Sequence, residues 1–315
     1  MDDGVQAVAV QRRPRRQAVD GVLLLDKPSG ISSQTAVSRA RALLLAAKAG
    51  HTGTLDPMAS GLLPVCFGEA TKFSHLLLES DKTYAATVKL GVTTTTGDRE
   101  GELVATAAVD VSRAQLEAVL RRFVGNLMQT PPMYSALKHH GRPLYEYARA
   151  GVALPRVPRP VTIAALDLVA FEGDTFGITV RCSKGTYIRV LAEDIGRELG
   201  CGACLAALRR TAVGGFRLDR DCGAIALEVL QDAPLEQRRA RLLPVDALVA
   251  TLPRIDLGAG EARRLLAGQE LEWPEVLAAG PVRVYGPRQD FLGVARVGPA
   301  GKIVAQRLRA QQRDA

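Results

Sequence analysis

The sequence contains no apolar run long enough to cross a lipid bilayer, although 47% of its residues are hydrophobic. The first 17 residues also lack the apolar segment and cleavage site of a secretory signal, and they carry only a short arginine cluster. We therefore expect a cytoplasmic protein without a membrane partner.

Cysteine is scarce, with 5 residues in a chain of 315. Their odd number and scattered positions argue against a disulfide framework and fit a reducing compartment. Cys201 and Cys204 form a lone CxxC pair, whereas a structural zinc site needs about four ligands. The other cysteines and histidines are not spaced as a second pair. We expect no metal site here, only two small half-buried residues beside a glycine turn.

Motifs for nucleotide cofactors and catalytic metals are also missing. The chain has no GxxxxGK(S/T), no GxGxxG after a predicted strand and no HExxH. It also lacks an acidic cluster that could hold a metal ion. These absences argue against a methyltransferase or a metal-dependent nuclease, and we expect no cofactor.

The length of the chain suggests about two domains. Basic residues outnumber acidic residues. The 41 Lys and Arg residues against 33 Asp and Glu give a net charge of +8, and the sequence pI is about 9.5. A basic surface of this size favours a polyanionic partner such as a nucleic acid.

Local patterns predict where structured regions begin and end. Residues 1–19 have the composition of a disordered basic arm. A short apolar strand is expected at 21–26, and Ser32 or Ser33 then caps a helix that Gly50 ends.

The middle of the chain alternates between predicted strands and helices, and the last part has a different pattern of short strands and turns. Period-2 patterns predict a hairpin of two strands at 161–171 and 175–182. Short strands separated by Gly/Pro turns predict a small all-β module at 253–310. The other predicted elements are a strand at 84–92, helices at 111–124 and 188–199, and a helical stretch at 227–250.

The loop at 50–61 is the most informative segment for chemistry. Its three glycines allow sharp turns and a close approach to a ligand, and it presents one carboxylate, Asp56. Asp56 before Pro57 also suits the N-cap of a very short helix, because Asp caps well and Pro fits the first helical position. Residue chemistry alone leaves these two interpretations about even.

The segment at 50–65, GHTGTLDPMASGLLPV, closely resembles the catalytic motif of the TruB family of tRNA pseudouridine synthases, which act on the T arm. The resemblance extends in order over about residues 20–220. Its other motifs are GVLLLDKP at 21–28, DKTY at 81–84, MYSALK at 133–138, LYEYAR at 144–149, CSKGTYIR at 182–189 and LRR at 208–210. Beyond about residue 225 no motif is shared, and the chain resembles the small PUA-like domain only in its pattern of short strands and Gly/Pro turns.

The resemblance implies roles for three catalytic residues. Asp56 matches the catalytic aspartate, which serves as a nucleophile or as a counter-charge to a developing cation. Arg189 matches the arginine that pairs with this carboxylate; from the residues alone, a surface arginine paired with Glu193 is the alternative. Tyr84 matches the tyrosine that stacks on the target base and can move a proton, although an ordinary strand tyrosine is the commoner case.

Three further positions match residues near the substrate. His51 matches a histidine that enters the T loop where the flipped base was, although a loop histidine is usually just solvated. Leu208 matches an apolar residue beside the base, or it is plain core. Lys27 matches a motif lysine with either a structural or a phosphate-facing role.

The segment at about 125–155 resembles the RNA-binding insertion of the family. It mixes cations with aromatics, as binding of RNA loops and single strands requires, whereas the alternative is a solvated charged helix. The residues expected to bind substrate here are Lys138, Arg142, Tyr145 and Arg149.

The implied fold is α+β: a pseudouridine synthase catalytic domain at 20–250, with a mostly antiparallel mixed sheet flanked by helices, and a small PUA-like RNA-binding β-barrel at 253–310. The implied activity is isomerisation of uridine 55 in the T loop of tRNA after base flipping, by a monomer without metal or cofactor. The alternative is a catalytically silent RNA-binding or tRNA-folding protein of the same shape.

Overall fold

A computed structural model describes residues 16–219, 223–273, 278–298 and 301–310. In these ranges no helix is long and apolar enough to cross a membrane. The expected basic arm at 1–19 lies mostly outside the described residues. Its last residues are ordered, because Gln17 pairs with Ala46 and Val19 is buried in the main core.

The large-sheet region, residues 21–249, has helices packed against one large sheet. Its helices are α1 Ser33–Leu43, α2 Ser74–Leu78, α3 Arg113–Arg122, α4 Leu144–Arg149, α5 Ile188–Glu198, α6 Leu227–Asp232 and α7 Leu235–Ala240, with 3-10 turns at Gly68–Lys72 and Val245–Val249. Its strands are β1 Gly21–Lys27, β2 Ala49–His51, β3 Ser60–Phe67, β4 Lys82–Leu90, β5 Val92–Thr94, β6 Leu103–Thr106, β7 Gly125–Gln129, β8 Lys138–His139, β9 Arg142–Pro143, β10 Arg159–Glu172, β11 Thr175–Cys182, β12 Ala203–Val213, β13 Phe216–Arg217 and β14 Ile225–Ala226.

Ten of these strands form the large sheet, in the order β14-β1-β3-β12-β4-β11-β10-β7, with β2 beside β3 and β13 beside β12. The pairs β1–β14 and β3–β12 are parallel, and the other described pairs of this sheet are antiparallel. The expected α+β class with a mostly antiparallel mixed sheet is confirmed. Strand β12 connects the two halves of the sheet, because it lies between β3 and β4.

The C-terminal region is a separate five-stranded sheet with one helix. Its elements are β15 Arg254–Asp256, α8 Ala259–Leu266, β16 Leu271–Glu272, β17 Gly280–Tyr285, β18 Phe291–Val297 and β19 Lys302–Leu308. The strand order β15-β17-β18-β19-β16 leaves β15 and β16 at opposite edges among the described residues, so the sheet is a curled half-barrel.

Two hydrophobic clusters cover the two faces of the large sheet. The main one packs α1, α3 and α5 on one face. The other joins strands β1 and β3 to the C-terminal region, where the Phe73 and Phe291 rings lie 5.3 Å apart and the Tyr285 and Phe291 rings 5.6 Å apart. Aromatic pairs of this kind add about 1 kcal/mol beyond burial of their area, and they pack the C-terminal sheet against the large-sheet region.

Helix α1 is shorter than expected. Ser32 caps it as predicted, by accepting from the Thr35 amide, but it ends at Leu43 and not at Gly50. Leu45 has a φ of 53°, which turns the chain out of the helix, and α7 supplies a cap when the Arg238 guanidinium donates to the Leu43 carbonyl at 2.8 Å.

Two other predictions from the sequence need correction. The stretch at 227–250 is not one helix but α6, α7 and a 3-10 turn, because Pro234 and Pro244 stand just before the latter two and interrupt the ladder. Residues 125–129 form β7 of the large sheet, so the projecting insertion begins after them.

Candidate active site

Asp56 lies in the loop between β2 and β3, and this loop is tied to the start of α1. The Ser33 hydroxyl accepts from the Leu55 amide at 2.8 Å and donates to the Leu55 carbonyl at 3.0 Å. The Gly30 amide donates to the Pro57 carbonyl at 2.8 Å. These bonds fix the main chain on both sides of Asp56.

The interpretation of Asp56 as a helix cap is wrong. The residues after it make a single turn, closed by the Ala59 amide donating to the Asp56 carbonyl, and strand β3 begins at Ser60. The Asp56 carboxylate instead accepts a hydrogen bond of 2.9 Å from Nε of Arg189. Its side chain keeps 35% of its surface exposed, so it is open to a ligand.

Arg189, on the first turn of α5, has only 4% of its side chain exposed. Besides Asp56, its guanidinium donates to the carbonyls of Thr96 at 2.9 Å and Tyr134 at 2.7 Å. The alternative of a surface pair with Glu193 is therefore wrong, and the expected contact with Asp56 is present. A guanidinium fixed on three sides holds the carboxylate in one direction.

Asp98 is a second carboxylate beside Arg189, and unlike Asp56 it is buried; the sequence patterns did not reveal it. Its Oδ2 lies 3.6 Å from Nε of Arg189, and its Oδ1 accepts from Oγ1 of Thr96 at 2.6 Å and the Glu100 amide at 3.0 Å. The TGD turn in the β5–β6 hairpin is the only local signal for it. Burial raises the pKa of Asp56, and Asp98 adds to this, while the Arg189 cation opposes it.

Tyr84, on β4, lines a cavity of about 530 Å³ beside Asp56. The side chain is 9% exposed, and burial raises the pKa of its hydroxyl, so the phenol keeps its proton at neutral pH. Leu208, 7% exposed, lines the same cavity together with Tyr187. This cavity offers an aromatic face and an aliphatic face near one carboxylate.

A second cavity of about 600 Å³ also borders Asp56 and includes His51, Tyr145 and Arg149 in its lining. Asp56 and Arg189 line both cavities. The Gly53 amide donates to Nδ1 of His51, which leaves the proton on Nε2, and burial lowers the pKa of this ring. His51 therefore presents a neutral N–H donor.

The expected RNA-binding residues of the insertion separate into two groups. Arg149 and Tyr145 reach the second cavity, and the guanidinium lies 5.4 Å from the ring centroid. Lys138 and Arg142 lie on the exposed β8–β9 hairpin outside both cavity linings, and Arg142 pairs with Glu146. The structure thus brings only the first group close to Asp56.

Lys27 is not phosphate-facing, and its place among the substrate-binding residues needs correction. The residue is 0% exposed, and its ammonium donates to the carbonyls of Pro28 at 2.8 Å, Ile31 at 2.7 Å and Pro57 at 3.4 Å. Burial lowers its pKa to about 8. Lys27 is a structural residue that joins the turn after β1 to the Asp56 loop.

Replacing Lys27 by Met should reduce the free energy of unfolding by about 1–3 kcal/mol, because buried carbonyls lose their donor. A denaturant titration of both proteins measures this loss. The matched control is Lys48→Met at an exposed lysine, which should leave stability unchanged. An unchanged midpoint for Lys27→Met would mean that these carbonyl contacts contribute nothing to the fold.

The described ranges contain no group of three His, Cys, Asp or Glu side chains placed to hold a metal ion. Cys201 and Cys204, the expected pair beside a glycine turn, are both buried and free. Cys66 and Cys182 are buried and free as well.

Three family models match successive parts of the chain. A model described as TruB family pseudouridylate synthase (N terminal domain) matches residues 41–188. One described as tRNA pseudouridylate synthase B C-terminal domain matches 189–250, and one described as Pseudouridine synthase II TruB, C-terminal matches 253–308. With the large mixed sheet, these matches define a pseudouridine synthase fold.

Curated relatives resemble the chain over nearly its full length. A protein of Azoarcus sp. (strain BH72) named tRNA pseudouridine synthase B is 58% identical over 304 residues, which are 96% of this chain and 99% of that protein. A protein of the same name from Ralstonia nicotianae (strain ATCC BAA-1114 / GMI1000) is 57% identical, over 90% of this chain and 92% of that protein. The chain belongs to the TruB family.

Solved structures share the fold at lower identity. A chain in the crystal structure of the archaeal box H/ACA sRNP Nop10-Cbf5 complex is 25% identical, with a TM-score of 0.72, covering 94% of this chain and 88% of that one. A chain in a Cbf5-Nop10-Gar1 complex is 26% identical, with a TM-score of 0.71, covering 92% and 84%.

Proposed function

We propose that this protein is an isomerase that converts uridine to pseudouridine at position 55 in the T loop of tRNA. The observation that carries the proposal is the Asp56 carboxylate, which is held by the buried Arg189 and opens into the cavity lined by Tyr84 and Leu208. The names of the curated relatives support tRNA as the substrate.

The reaction breaks the bond between N1 of uracil and C1′ of ribose and forms one between C5 and C1′, while C5 loses a proton and N1 gains one. The uridine must leave its stack to reach the cavity. Asp56 supplies the carboxylate that assists cleavage, as a nucleophile or as a counter-charge at the sugar. Tyr84 stacks on the base, and its O–H is placed to move a proton.

This isomerisation conserves every atom and is redox-neutral overall, so it needs no redox cofactor, and we propose that it proceeds without a metal ion. One chain supplies all of the proposed catalytic side chains, and we propose that the active form is a monomer. The free cysteines fit a reducing compartment, and we propose that the protein acts in the cytoplasm.

The test is incubation with an unmodified tRNA transcript, followed by base-resolved detection of pseudouridine. The matched control transcript carries cytidine at position 55, where no product should form. Product at another uridine would overturn the assigned position. Binding of tRNA without any product would favour the alternative, a catalytically silent RNA-binding or tRNA-folding protein.

Residues 253–310 are proposed to add affinity through the tRNA backbone. Across 253–315 the chain has 10 basic and 7 acidic residues, and no described residue of this region lines either cavity beside Asp56. Because Phe291 packs on Phe73, residues 253–310 also hold a fixed position on the large-sheet region.

The insertion is proposed to bind the RNA through its cations. Replacing Lys138, Arg142 and Arg149 together by Ala should weaken tRNA binding and flatten its dependence on salt. The slope of log K against log salt concentration should fall by about 1 for every phosphate that is no longer neutralised. Filter binding at several salt concentrations measures the slope.

The matched control for the insertion is a triple Ala variant of three exposed arginines on α3, which lines neither cavity. Its residues are Arg113, Arg121 and Arg122. Equal slopes for both triple variants would mean that the insertion cations only face solvent.

A further inference from the structure

Arg210, on the central strand β12, is buried to 1% exposure, yet it carries a guanidinium. Its Nε donates to the Leu62 carbonyl at 2.8 Å, its Nη2 donates to the Gly53 carbonyl at 3.1 Å, and its Nη1 lies 3.5 Å from the Thr54 carbonyl. A buried charge is costly unless its donors are satisfied, so these contacts account for its tolerance in the core.

Two of these carbonyls belong to the loop that carries Asp56. Gly53 and Thr54 stand just before Leu55 and Asp56. The main chain also approaches Arg210 closely at Gly61, where a Cβ would lie 2.3 Å from the Arg210 carbonyl oxygen. Gly61 has a φ of 105°, so glycine suits this position on two grounds. The Asp56 loop is thereby fastened to β12 at both of its ends.

The same guanidinium faces Tyr84. In the β12–β4 pairing, Arg210 is directly opposite Tyr84, where Cβ atoms are about 5 Å apart. Both side chains line the cavity of about 530 Å³ that also contains Asp56. The Arg210 cation lowers the pKa of the Tyr84 hydroxyl, in opposition to burial, which raises it.

We propose that Arg210 is a positioning residue that holds the Asp56 loop and the Tyr84 phenol in one fixed arrangement. This inference rests on the proposed function of the site. Arg210 differs from Arg189 in its target, because Arg189 binds the Asp56 carboxylate, whereas Arg210 binds main-chain carbonyls and faces the phenol. The planar fork of a guanidinium can serve several acceptors together, which the single ammonium of lysine cannot do in the same geometry.

The test is Arg210→Lys, which keeps the cation and removes the fork, compared with Arg209→Lys. Arg209 is the next residue on β12, is half-exposed and pairs with Asp26 at 2.6 Å outside both cavities. Arg210→Lys should slow single-turnover product formation by about 100-fold, the order expected for a small misplacement of reacting groups. Its tRNA dissociation constant should stay within about threefold of wild type, because misplaced reacting groups slow the chemical step and leave substrate binding largely intact. Arg209→Lys should behave as wild type.

A double-mutant cycle with Tyr84→Phe separates positioning from simple stability. If Arg210 acts through the phenol, Arg210→Lys should cost clearly less in the Tyr84→Phe background than alone. Additive losses would overturn the coupling. A wild-type rate in Arg210→Lys, or a lower melting temperature with an unchanged rate on saturating enzyme, would overturn the positioning role.

Hydrogen–deuterium exchange of residues 52–59 tests the inference without any turnover. Exchange should be faster in Arg210→Lys than in Arg209→Lys, because lysine cannot hold the loop carbonyls as the guanidinium does. Equal exchange would overturn the inference. Absence of product from wild-type protein would instead overturn the proposed function, while the exchange comparison would still decide whether Arg210 holds the loop.

Discussion

The Asp56→Asn variant should form no detectable pseudouridine in a single-turnover assay, while its fold and its affinity for tRNA persist. Asn keeps the shape of the side chain but has neither a negative charge nor a nucleophilic oxygen anion. Loss of a nucleophile can reduce turnover by on the order of 10⁴-fold or more. Product formation, filter binding and a thermal melt on one preparation measure the three properties together.

The control for this variant is Asp26→Asn. Asp26 also pairs with an arginine, Arg209 at 2.6 Å, but it lies outside both cavity linings. Loss of an exposed ion pair should cost at most about 1 kcal/mol of stability and leave the rate unchanged. Substantial product from Asp56→Asn with an intact melt would remove Asp56 from the mechanism.

Replacing Arg189 by Gln should slow product formation at neutral pH by on the order of 10²- to 10³-fold, the range seen when one positioned donor is removed from an active site. The Arg189 cation opposes the rise that burial and Asp98 cause in the pKa of Asp56. Without the cation the pKa of Asp56 rises further. As the pH is lowered, the Asp56 carboxylate of the variant therefore becomes protonated at a higher pH than that of wild type. The rate of Arg189→Gln should therefore increase with pH in a range where the wild-type rate is already flat.

Two other variants are the controls for this pH profile. Arg189→Lys keeps the charge, so its rate should fall while its profile stays near that of wild type. Arg197→Gln changes an arginine on the same helix whose side chain is 76% exposed and pairs with Asp194, and it should match wild type. A profile for Arg189→Gln that coincides with the wild-type profile would contradict an electrostatic role for Arg189.

Elements with strong local signals were predicted well from the sequence. Strand β1, the Ser32 cap, helix α5 and the β10–β11 hairpin are all confirmed within a few residues. Period-2 or period-3.6 apolar patterns and capping residues are physical properties of a short segment, so they can be recognised without the rest of the chain.

Elements that depend on distant partners were missed or misplaced. Strand β12 has bulges between Leu205 and Ala207 and between Arg210 and Ala212, which break the alternation that would identify it. Helix α1 ends where α7, far along the chain, caps it through Arg238. No local window contains this information.

The residues of the candidate site likewise divide into those that the sequence indicated and those that depend on distant partners. The position of Asp56 and its pairing with Arg189 were expected from the family resemblance, and the contact is present, while the catalytic roles of Asp56, Tyr84 and Arg189 stay predictions. Sequence patterns give no role to Asp98, and they show Arg210 only as part of the LRR motif. The significance of both residues depends on which groups they face across the fold, and neither spacing nor composition encodes that.

The position of β12 in the sheet has a consequence for biosynthesis. The chain makes β1 and β3 first, then β4, β10 and β11, and only afterwards β12, which separates β3 from β4. Until β12 emerges from the ribosome, we expect the nascent chain to form at most two partial sheets, each with an unpaired edge that could pair wrongly. The Asp56 loop and Tyr84 lie in different partial sheets, so we expect the proposed active site to stay unassembled until β12 is inserted between them, late in translation.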